Sequence, residues 1–334
     1  MSAAAREQPS THRKVVALGG GHGLAASLAA LRSVTPELTA VVTVADNGGS
    51  SGRLRAELGV LPPGDLRQAL AALCRDDEWG RTWAEVLQHR FPSGGALHEH
   101  AVGNLLIVAL WDLLGDHVDG LDWVGRLLGA QGRVLPMAAV PVDITAAVRG
   151  LHPQAPDALS QVRGQVEVAT TAGEVTAVAL EPKAPPACPE AVAAVRAADW
   201  VVLGLGSWFT SVIPHLLVPD LAAALQQTSA QRILTLNLAE QPGETTGFTP
   251  AAHLQVLRTH APDLAVDVVL VDESTSLDHR AQLEAAVEQL GARLVVAPVR
   301  RPDGSARHDP KRLSEAYAAV MAGAQQPVAE SDRR

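Results

Sequence analysis

The stretch Lys14–Val44 reads KVVALGGGHGLAASLAALRSVTPELTAVVTV, and it decides the fold class. Its first residues, Lys14–Leu18, are mostly apolar, include a β-branched pair and end in glycines, which is typical of a buried strand. Three leucines of the next segment share one helical face, and Leu38–Val44 is a second apolar run. Strand, glycine turn, helix and strand make a βαβ unit, so the sequence predicts a parallel sheet with a right-handed crossover.

The same rhythm returns in the second half of the chain. The predicted strands there are 200–203, 233–238, 266–271 and 294–297, and the predicted helices are 189–198, 250–259, 278–290 and 309–322. Between the two halves, Gln161–Leu180 alternates around a turn at Thr170–Gly173, which predicts an antiparallel hairpin. We therefore expect an α/β protein with a mainly parallel sheet, helices on both faces and an inserted β-hairpin subdomain at about 161–180.

We expect one compound domain over residues 14–322, with a disordered N-terminal arm at 1–13 and a flexible tail at 323–334. Within the first half, Ala45–Gly52 is interpreted as a glycine-rich loop. A helix is expected from Leu66 to about Cys74 with Asp65 as its N-cap, and an apolar helix is expected over Ala101–Leu114.

Composition narrows the class of protein further. Hydrophobic residues make up 47% of the 334, which is enough for a sizeable core, and 27 basic against 36 acidic residues give a net charge of −9. That charge argues against a long nucleic-acid track. No apolar run approaches about 18 residues and the N-terminus lacks a signal-peptide pattern, so we expect no membrane span and a cytoplasmic location. Cys74 and Cys188 are far apart and form no CxxC, which favours free thiols over a zinc site.

The first motif with chemical potential is the glycine run that follows the first strand. Glycines between a strand and a helix let a phosphate approach the amides at the helix N-terminus. The spacing is G-x-G-x-G, one residue short of the dinucleotide fingerprint, and no Walker lysine follows, so NAD is not expected. The alternative is a tight turn that packs helix on strand. The candidate residues are Gly20, Gly21, His22 and Gly23.

The second motif follows the second strand. Asp46 lies where open α/β sheets place ligand groups, and a carboxylate there can bind a ribose hydroxyl, hold Mg²⁺ or act as a base. The alternative is an Asx-type turn beside a solvated arginine. The residues that could donate to an anion here are Asn47, Gly48, Ser50, Ser51 and Arg53.

Polar residues of two further helices are also candidates. Arg67 lies in the first turn after a Pro-Pro-Gly-Asp sequence, where it is either a ligand contact or simply exposed. His100 and Asn104 could lie one helical turn apart and face the same cleft, or they could cap the apolar helix.

A second glycine-containing loop follows the predicted strand Trp200–Leu203. Loops at the ends of two strands of one sheet can hold two ends of one ligand, although a packed turn with capping hydroxyls is the alternative. The candidates in this loop and after the next strand are Gly204, Gly206, Ser207, Thr210 and Asn237.

Taken in order, six segments resemble the gluconeogenesis-factor family within the CofD-like superfamily. They are GGGHGL, TVADNGGSSGRLR, LPPGDLRQAL, EHAVGNLL, LGLGSWFTSVIPHLL and NLAEQPGET, and the match runs from about Lys14 to Leu313. The resemblance implies a Rossmann-like fold and a nucleotide cleft built from the candidates above. It also implies binding of a UDP-sugar such as UDP-N-acetylglucosamine, and a role in growth on gluconeogenic carbon sources and in cell shape. We separately expect a homo-oligomer, namely a dimer.

Two other functions stay open at this point. The related 2-phospho-L-lactate transferases move a phospholactyl group onto a deazaflavin precursor with Mg²⁺, which would make Asp46 both a metal ligand and the catalytic residue. An NAD-dependent oxidoreductase is the third alternative, and the short glycine spacing argues against it.

Overall fold

The parallel sheet expected from the first βαβ unit is the centre of the molecule. The computed structural model describes residues 12–241, 243–276 and 279–323, and most of the predicted N-terminal arm and C-terminal tail lies outside them, as does residue 278 of a predicted helix. Seven strands form this sheet, and every neighbouring pair is parallel.

The described elements have the following bounds. The strands of the parallel sheet are β1 (Val15–Gly19), β2 (Leu38–Val42), β3 (Arg133–Pro136), β7 (Trp200–Gly204), β8 (Gln231–Thr235), β9 (Val268–Asp272) and β10 (Arg293–Ala297). The other strands are β4 (Asp143–Arg149), β5 (Leu159–Arg163) and β6 (Glu174–Glu181). The helices are α1 (Gly21–Leu31), α2 (Gly49–Leu58), α3 (Gly64–Ala72), α4 (Glu78–Gln88), α5 (Val102–Leu114), α6 (His117–Leu128), α7 (Gln165–Ala169), α8 (Pro189–Arg196), α9 (Pro219–Gln227), α10 (Pro250–His260), α11 (Glu273–Ser276), α12 (Arg280–Gln289) and α13 (Pro310–Gly323).

The strand order shows where a ligand could bind. The chain runs from β1 outward to β2 and β3, returns to β7, and then runs outward the other way to β8, β9 and β10. Every residue of β1, β7 and β9 is buried, which requires cover on both faces of the sheet. Because β1 and β7 are adjacent and parallel, the loops after them diverge at a topological switch point, where open α/β sheets bind ligands. The predicted fold class is confirmed.

The insertion between the two halves is antiparallel, as expected, but it has three strands instead of two. β4 pairs with β5 on one side and with β6 on the other, so the two predicted hairpin strands do not pair with each other. The short helix α7 separates them, and it begins after Gly164, whose φ is +108°. Alternation within Gln161–Leu180 reveals two strands, but it carries no information about a third strand between them.

Two local predictions at the sheet edge are also corrected. The loop expected at Ala45–Gly52 already contains the start of α2 at Gly49. Asp65 is not an N-cap, because α3 begins at Gly64 and Asp65 is a buried residue of its first turn. Cys74 and Cys188 are free and buried, as expected. Among the described helices, none has both the length and the apolar character that a membrane crossing requires.

Candidate functional site

The loops after β1 and β7 touch through their backbones. A Cβ atom on Gly23 would overlap the carbonyl oxygen of Leu205, so only glycine permits this approach. On the other side, Leu205 has φ +58° and Gly206 has φ +127°, a left-handed turn that is strained for a leucine. The packing of one loop on the other therefore explains why position 23 is a glycine.

Asn237 holds the loop after β7 in place through two hydrogen bonds. Its Oδ1 accepts a hydrogen bond from the Gly206 amide at 3.1 Å, and its Nδ2 donates to the Gly206 carbonyl at 2.8 Å. Both halves of the carboxamide are thus engaged by the backbone of one residue. Asn237 lines the cleft, but its main contribution is to hold Gly206 in its unusual conformation.

The first glycine loop is contacted by a carboxylate that sequence reasoning assigned to a cap. The Asp65 carboxyl lies beside Gly20 and Gly21, and the backbone N–H of Gly21 favours its charged form. A Cβ atom on Gly20 would lie 2.6 Å from Asp65 Oδ2, so the glycine is needed for this contact. A negative side chain therefore lies at the N-terminus of α1, where the sequence predicted a phosphate. The Pro-Pro-Gly turn just before Asp65 predicts the start of a helix, but it carries no signal that Asp65 contacts the glycine loop.

Asp46 and Asp65 form an acidic pair on the cavity wall. Asp46 Oδ1 accepts from the Gly48 amide at 2.9 Å, which is the Asx-type turn expected as the alternative. The other oxygen of Asp46 faces the first turn of α3, because a Cβ atom on Gly64 would lie 2.8 Å from it. Burial, followed by the charge of Asp46, raises the pKa of Asp65 to about 7. The two carboxylates are thus close enough to interact electrostatically.

Two adjoining cavities flank the glycine loop. The inner one has a volume of about 370 Å³ and contains Asp46, Asp65, Ser207 and Gln165 on its walls. The outer one has a volume of about 570 Å³ and is lined by Asn237 and by cationic or polar side chains near the C-terminus of the chain. Those side chains are Arg301, Arg307 and His308. The residues common to both cavities are His22, Gly23, Gly206 and Gln241. The inner cavity therefore contains two carboxylates, whereas the outer cavity contains two arginines and the one carboxylate of Glu240.

Four predicted ligand residues lie behind the cleft in a buried polar network. Ser50 Oγ accepts from Asn104 Nδ2 at 3.0 Å and from the Ala101 amide at 3.3 Å, so its own hydrogen is free for His100 Nδ1, 3.0 Å away. His100 Nδ1 is then an acceptor and the ring is neutral. Burial lowers the pKa of His100, in agreement with a neutral ring.

Arg67 completes this network. Its Nε donates to Asn104 Oδ1 at 2.8 Å, and another guanidinium nitrogen donates to Gln88. Burial, followed by the charge of Arg90, lowers the pKa of Arg67 to about 10. Ser50, His100, Asn104 and Arg67 are buried, with between 1% and 7% of each residue exposed. We therefore revise their predicted role from ligand contact to support of α2, α3 and α5 beneath the site.

Other predicted residues also have internal partners. Thr210 is buried and donates to Glu244 Oε1 at 2.6 Å. Ser51 is buried beneath α3, and the exposed Arg53 donates to the His98 carbonyl at 2.5 Å. A Cβ atom on Gly204 would overlap the Thr235 carbonyl oxygen. None of these four lines either cavity.

Asn47 and Gly48 contact the inserted sheet instead of the cleft. Asn47 accepts from the Val166 amide at 3.0 Å and donates to Glu167 Oε2 at 2.8 Å. Of the predicted residues, the structure thus brings together at the cavities Gly20, Gly21, His22, Gly23, Asp46, Gly206, Ser207 and Asn237. Among the described residues, no group of three or more histidine, cysteine or carboxylate side chains is placed to hold a metal ion.

Fold and cleft first define a class: an open α/β protein with a ligand cleft at the switch point of a parallel sheet, walled by glycine loops. The model of the family described as 2-phospho-L-lactate transferase CofD matches residues 15–299, and the chain belongs to this family. The resemblance inferred from the motifs is confirmed.

Individual relatives agree with this assignment. The chain is 54% identical over 318 residues to a Mycobacterium tuberculosis protein named "Putative gluconeogenesis factor", covering 94% of this chain and 92% of that protein. It is 38% identical over 259 residues to the gluconeogenesis factor of Halalkalibacterium halodurans, covering 78% and 77%. The crystal structure of a UPF0052 family protein from Bacillus halodurans matches with a TM-score of 0.80 and 32% identity, covering 92% of this chain and 99% of that chain.

Proposed function

We propose that this protein binds a UDP-sugar, such as UDP-N-acetylglucosamine, in the cleft between the β1 and β7 loops. In this proposal it acts as a gluconeogenesis factor that serves growth and cell shape on gluconeogenic carbon sources. One observation carries the proposal: two adjoining cavities share the wall formed by His22, Gly23 and Gly206. An elongated ligand with a diphosphate in its middle fits such a pair, with the diphosphate at the shared wall. The names of the relatives support the gluconeogenic part of the proposal.

The acidic pair makes a divalent cation part of the proposal. A diphosphate beside Asp46 and Asp65 would be repelled unless a cation lay between them. Mg²⁺ is commonly bound by one or two carboxylates together with substrate phosphates and water, so two carboxylates are a sufficient donor set. Asp46 and Asp65 would hold the ion, which would neutralise charge and orient the phosphates. The raised pKa of Asp65 supports this, because a cation would relieve the unfavourable burial of its charge.

Isothermal titration calorimetry with UDP-N-acetylglucosamine, in MgCl₂ and in EDTA, tests the proposal. We expect binding in MgCl₂ that is lost in EDTA and in the variant Asp46→Asn. The matched control is Asp112→Asn, which removes an exposed carboxylate of α5 and should leave binding unchanged. No heat of binding at millimolar ligand and MgCl₂ would contradict the proposed function.

A second function is favoured by one specific observation. A carboxyl group whose pKa is raised to about 7 is suited to general acid-base catalysis near neutral pH, and Asp65 is such a group in the cavity. A Mg²⁺-dependent transferase of the phospholactate type would use it. Turnover of a deazaflavin acceptor with a nucleotide-activated phospholactate would support this alternative, and inactivity of the wild-type protein would exclude that substrate pair. Dimer formation stays a prediction, which light scattering of the purified chain tests.

A further inference from the structure

The inserted sheet contributes a wall to the inner cavity through its short helix α7. Gln165, the first residue of α7, lines this cavity together with Asp46 and Asp65. Among the described residues, its carboxamide has no hydrogen-bond partner. It is a partly exposed donor and acceptor group on the wall of the cavity that also contains Asp46 and Asp65.

Asn47 holds α7 in this place. Its carbonyl oxygen accepts from the amide of Val166, the residue after Gln165, and its amide donates to the Glu167 carboxylate. One side chain thus binds the first turn of α7 at two points. The Asn47 and Val166 positions are 119 residues apart in the chain, so this contact joins the insertion to the β2 loop.

Close backbone packing on both sides adds to this attachment. A Cβ atom on Gly48 would lie 2.9 Å from Val166 Cγ2, and one on Gly243 would overlap the carbonyl oxygen of Ala169. The helix therefore lies between the loop after β2 and the loop after β8. Val168 of α7 is fully buried and anchors the helix, so α7 is a fixed wall of the cavity.

We propose that Gln165 contacts the bound ligand through its free carboxamide, and that Asn47 is the positioning residue that sets where Gln165 lies. This inference rests on the proposed function, because the ligand is the nucleotide sugar bound at the inner cavity. A neutral amide suits this place: it can donate to a phosphate or sugar oxygen, and it adds no charge beside the acidic pair. The insertion would then help to determine which ligand is bound, and the parallel sheet would supply the cation site.

The first test removes the amide of Gln165. In calorimetry with UDP-N-acetylglucosamine and MgCl₂, we expect Gln165→Ala to weaken binding about tenfold, the loss typical of one hydrogen bond to a charged group. The matched control is Gln161→Ala, which removes an exposed amide from β5 of the same inserted sheet. We expect the control to bind like the wild type. Equal affinity of Gln165→Ala and wild type would overturn the ligand contact.

The second test separates positioning from general stability. Asn47→Asp keeps the acceptor for the Val166 amide but places a carboxylate against Glu167, so we expect binding to weaken about fivefold or more. Adding Glu167→Gln restores a donor and acceptor pair with the partners exchanged, and it should recover most of the lost affinity. Thermal unfolding of the same variants separates the two effects, because a general stability defect would lower the melting temperature in parallel with the affinity. Absence of rescue, with both variants folded, would overturn the role of Asn47.

Hydrogen exchange of the ligand-free protein gives a readout that needs no ligand. Asn47→Ala should speed exchange of the Val166 amide relative to wild type, because its acceptor is gone. Unchanged exchange would overturn the attachment of α7 by Asn47. If wild-type protein binds no UDP-N-acetylglucosamine, the proposed function fails and the ligand contact of Gln165 fails with it. If wild type binds and only Gln165→Ala has no effect, the proposed function stands and this inference alone falls.

Discussion

Asp65 Oδ2 lies against Gly20, where a Cβ atom would be only 2.6 Å from it, so an acidic side chain of the chain itself lies at the N-terminal end of α1. In many α/β proteins that position is left for a phosphate. Here a phosphate would meet Asp65 and, beside it, Asp46. In our proposal, this contact is the reason that a phosphorylated ligand would bind here together with a cation.

The raised pKa of Asp65 predicts how stability depends on pH. Its ordinary value is 3.8 and the folded value is about 7, so between these the folded state keeps a proton that the unfolded state has lost. The free energy of unfolding therefore falls as pH rises through this window, and the full penalty is present above about pH 7. We expect Asp65→Asn to be more stable than wild type at about pH 8, by at least about 1.4 kcal/mol, the equivalent of one pKa unit.

Thermal unfolding in EDTA at several pH values measures this difference. The advantage of Asp65→Asn should shrink steadily as the pH falls and disappear only below the ordinary pKa of 3.8, where the wild-type carboxyl is protonated in both states. A difference between the two proteins that does not vary with pH would contradict the assignment of the raised pKa to Asp65.

The acidic pair predicts stabilisation by Mg²⁺ in the absence of any nucleotide. Binding to the folded state alone raises the melting temperature, and we expect a rise of about 2 °C or more at saturating MgCl₂. Asp46→Asn and Asp65→Asn should each abolish the rise, while Asp112→Asn should retain it. A rise of equal size in all four proteins would mean that the ion binds elsewhere.

The contact between the two loops predicts that Gly23 tolerates no side chain. Gly23→Ala would place a methyl group into the Leu205 carbonyl oxygen, and we expect a loss of about 1 to 3 kcal/mol in unfolding free energy. Gly94→Ala is the matched control, because a Cβ atom there meets nothing within 4 Å. Chemical denaturation measures both variants, and equal stability would show that the loops can separate without cost.

The buried network predicts a stability defect at Asn104. Asn104→Ala leaves Arg67 Nε without its acceptor and removes one donor to Ser50, so we expect a loss of about 1 to 3 kcal/mol. Gln161→Ala, which removes an exposed amide, should cost less than about 0.5 kcal/mol. If Asn104→Ala were as stable as wild type but bound ligand poorly, the predicted direct ligand contact would be correct and our revision of it would be wrong.

The sequence by itself determined the class of the fold and the edge of the sheet that carries the site. Apolar runs, glycine turns and helical periodicity are local features, and they located β1, α1, β2 and the strands of the second half. Strands that follow one another in βαβ units must place their carboxyl ends on one edge, so Asp46, the glycine loop and Gly206 could be assigned to the cleft in advance. The order and spacing of the motifs were enough to indicate the family.

Only the tertiary structure decided which polar side chains face the cleft. Ser50, Asn104 and Thr210 lie in motifs as polar as that of Asp46. Each is nevertheless buried and hydrogen-bonded to a partner between 34 and 54 residues away in the chain. Asp65 and Gln165 reach the cavity because α3 and the inserted sheet fold over the strand ends. A hydrogen bond between distant residues depends on how whole elements pack, and local sequence patterns carry no record of that packing.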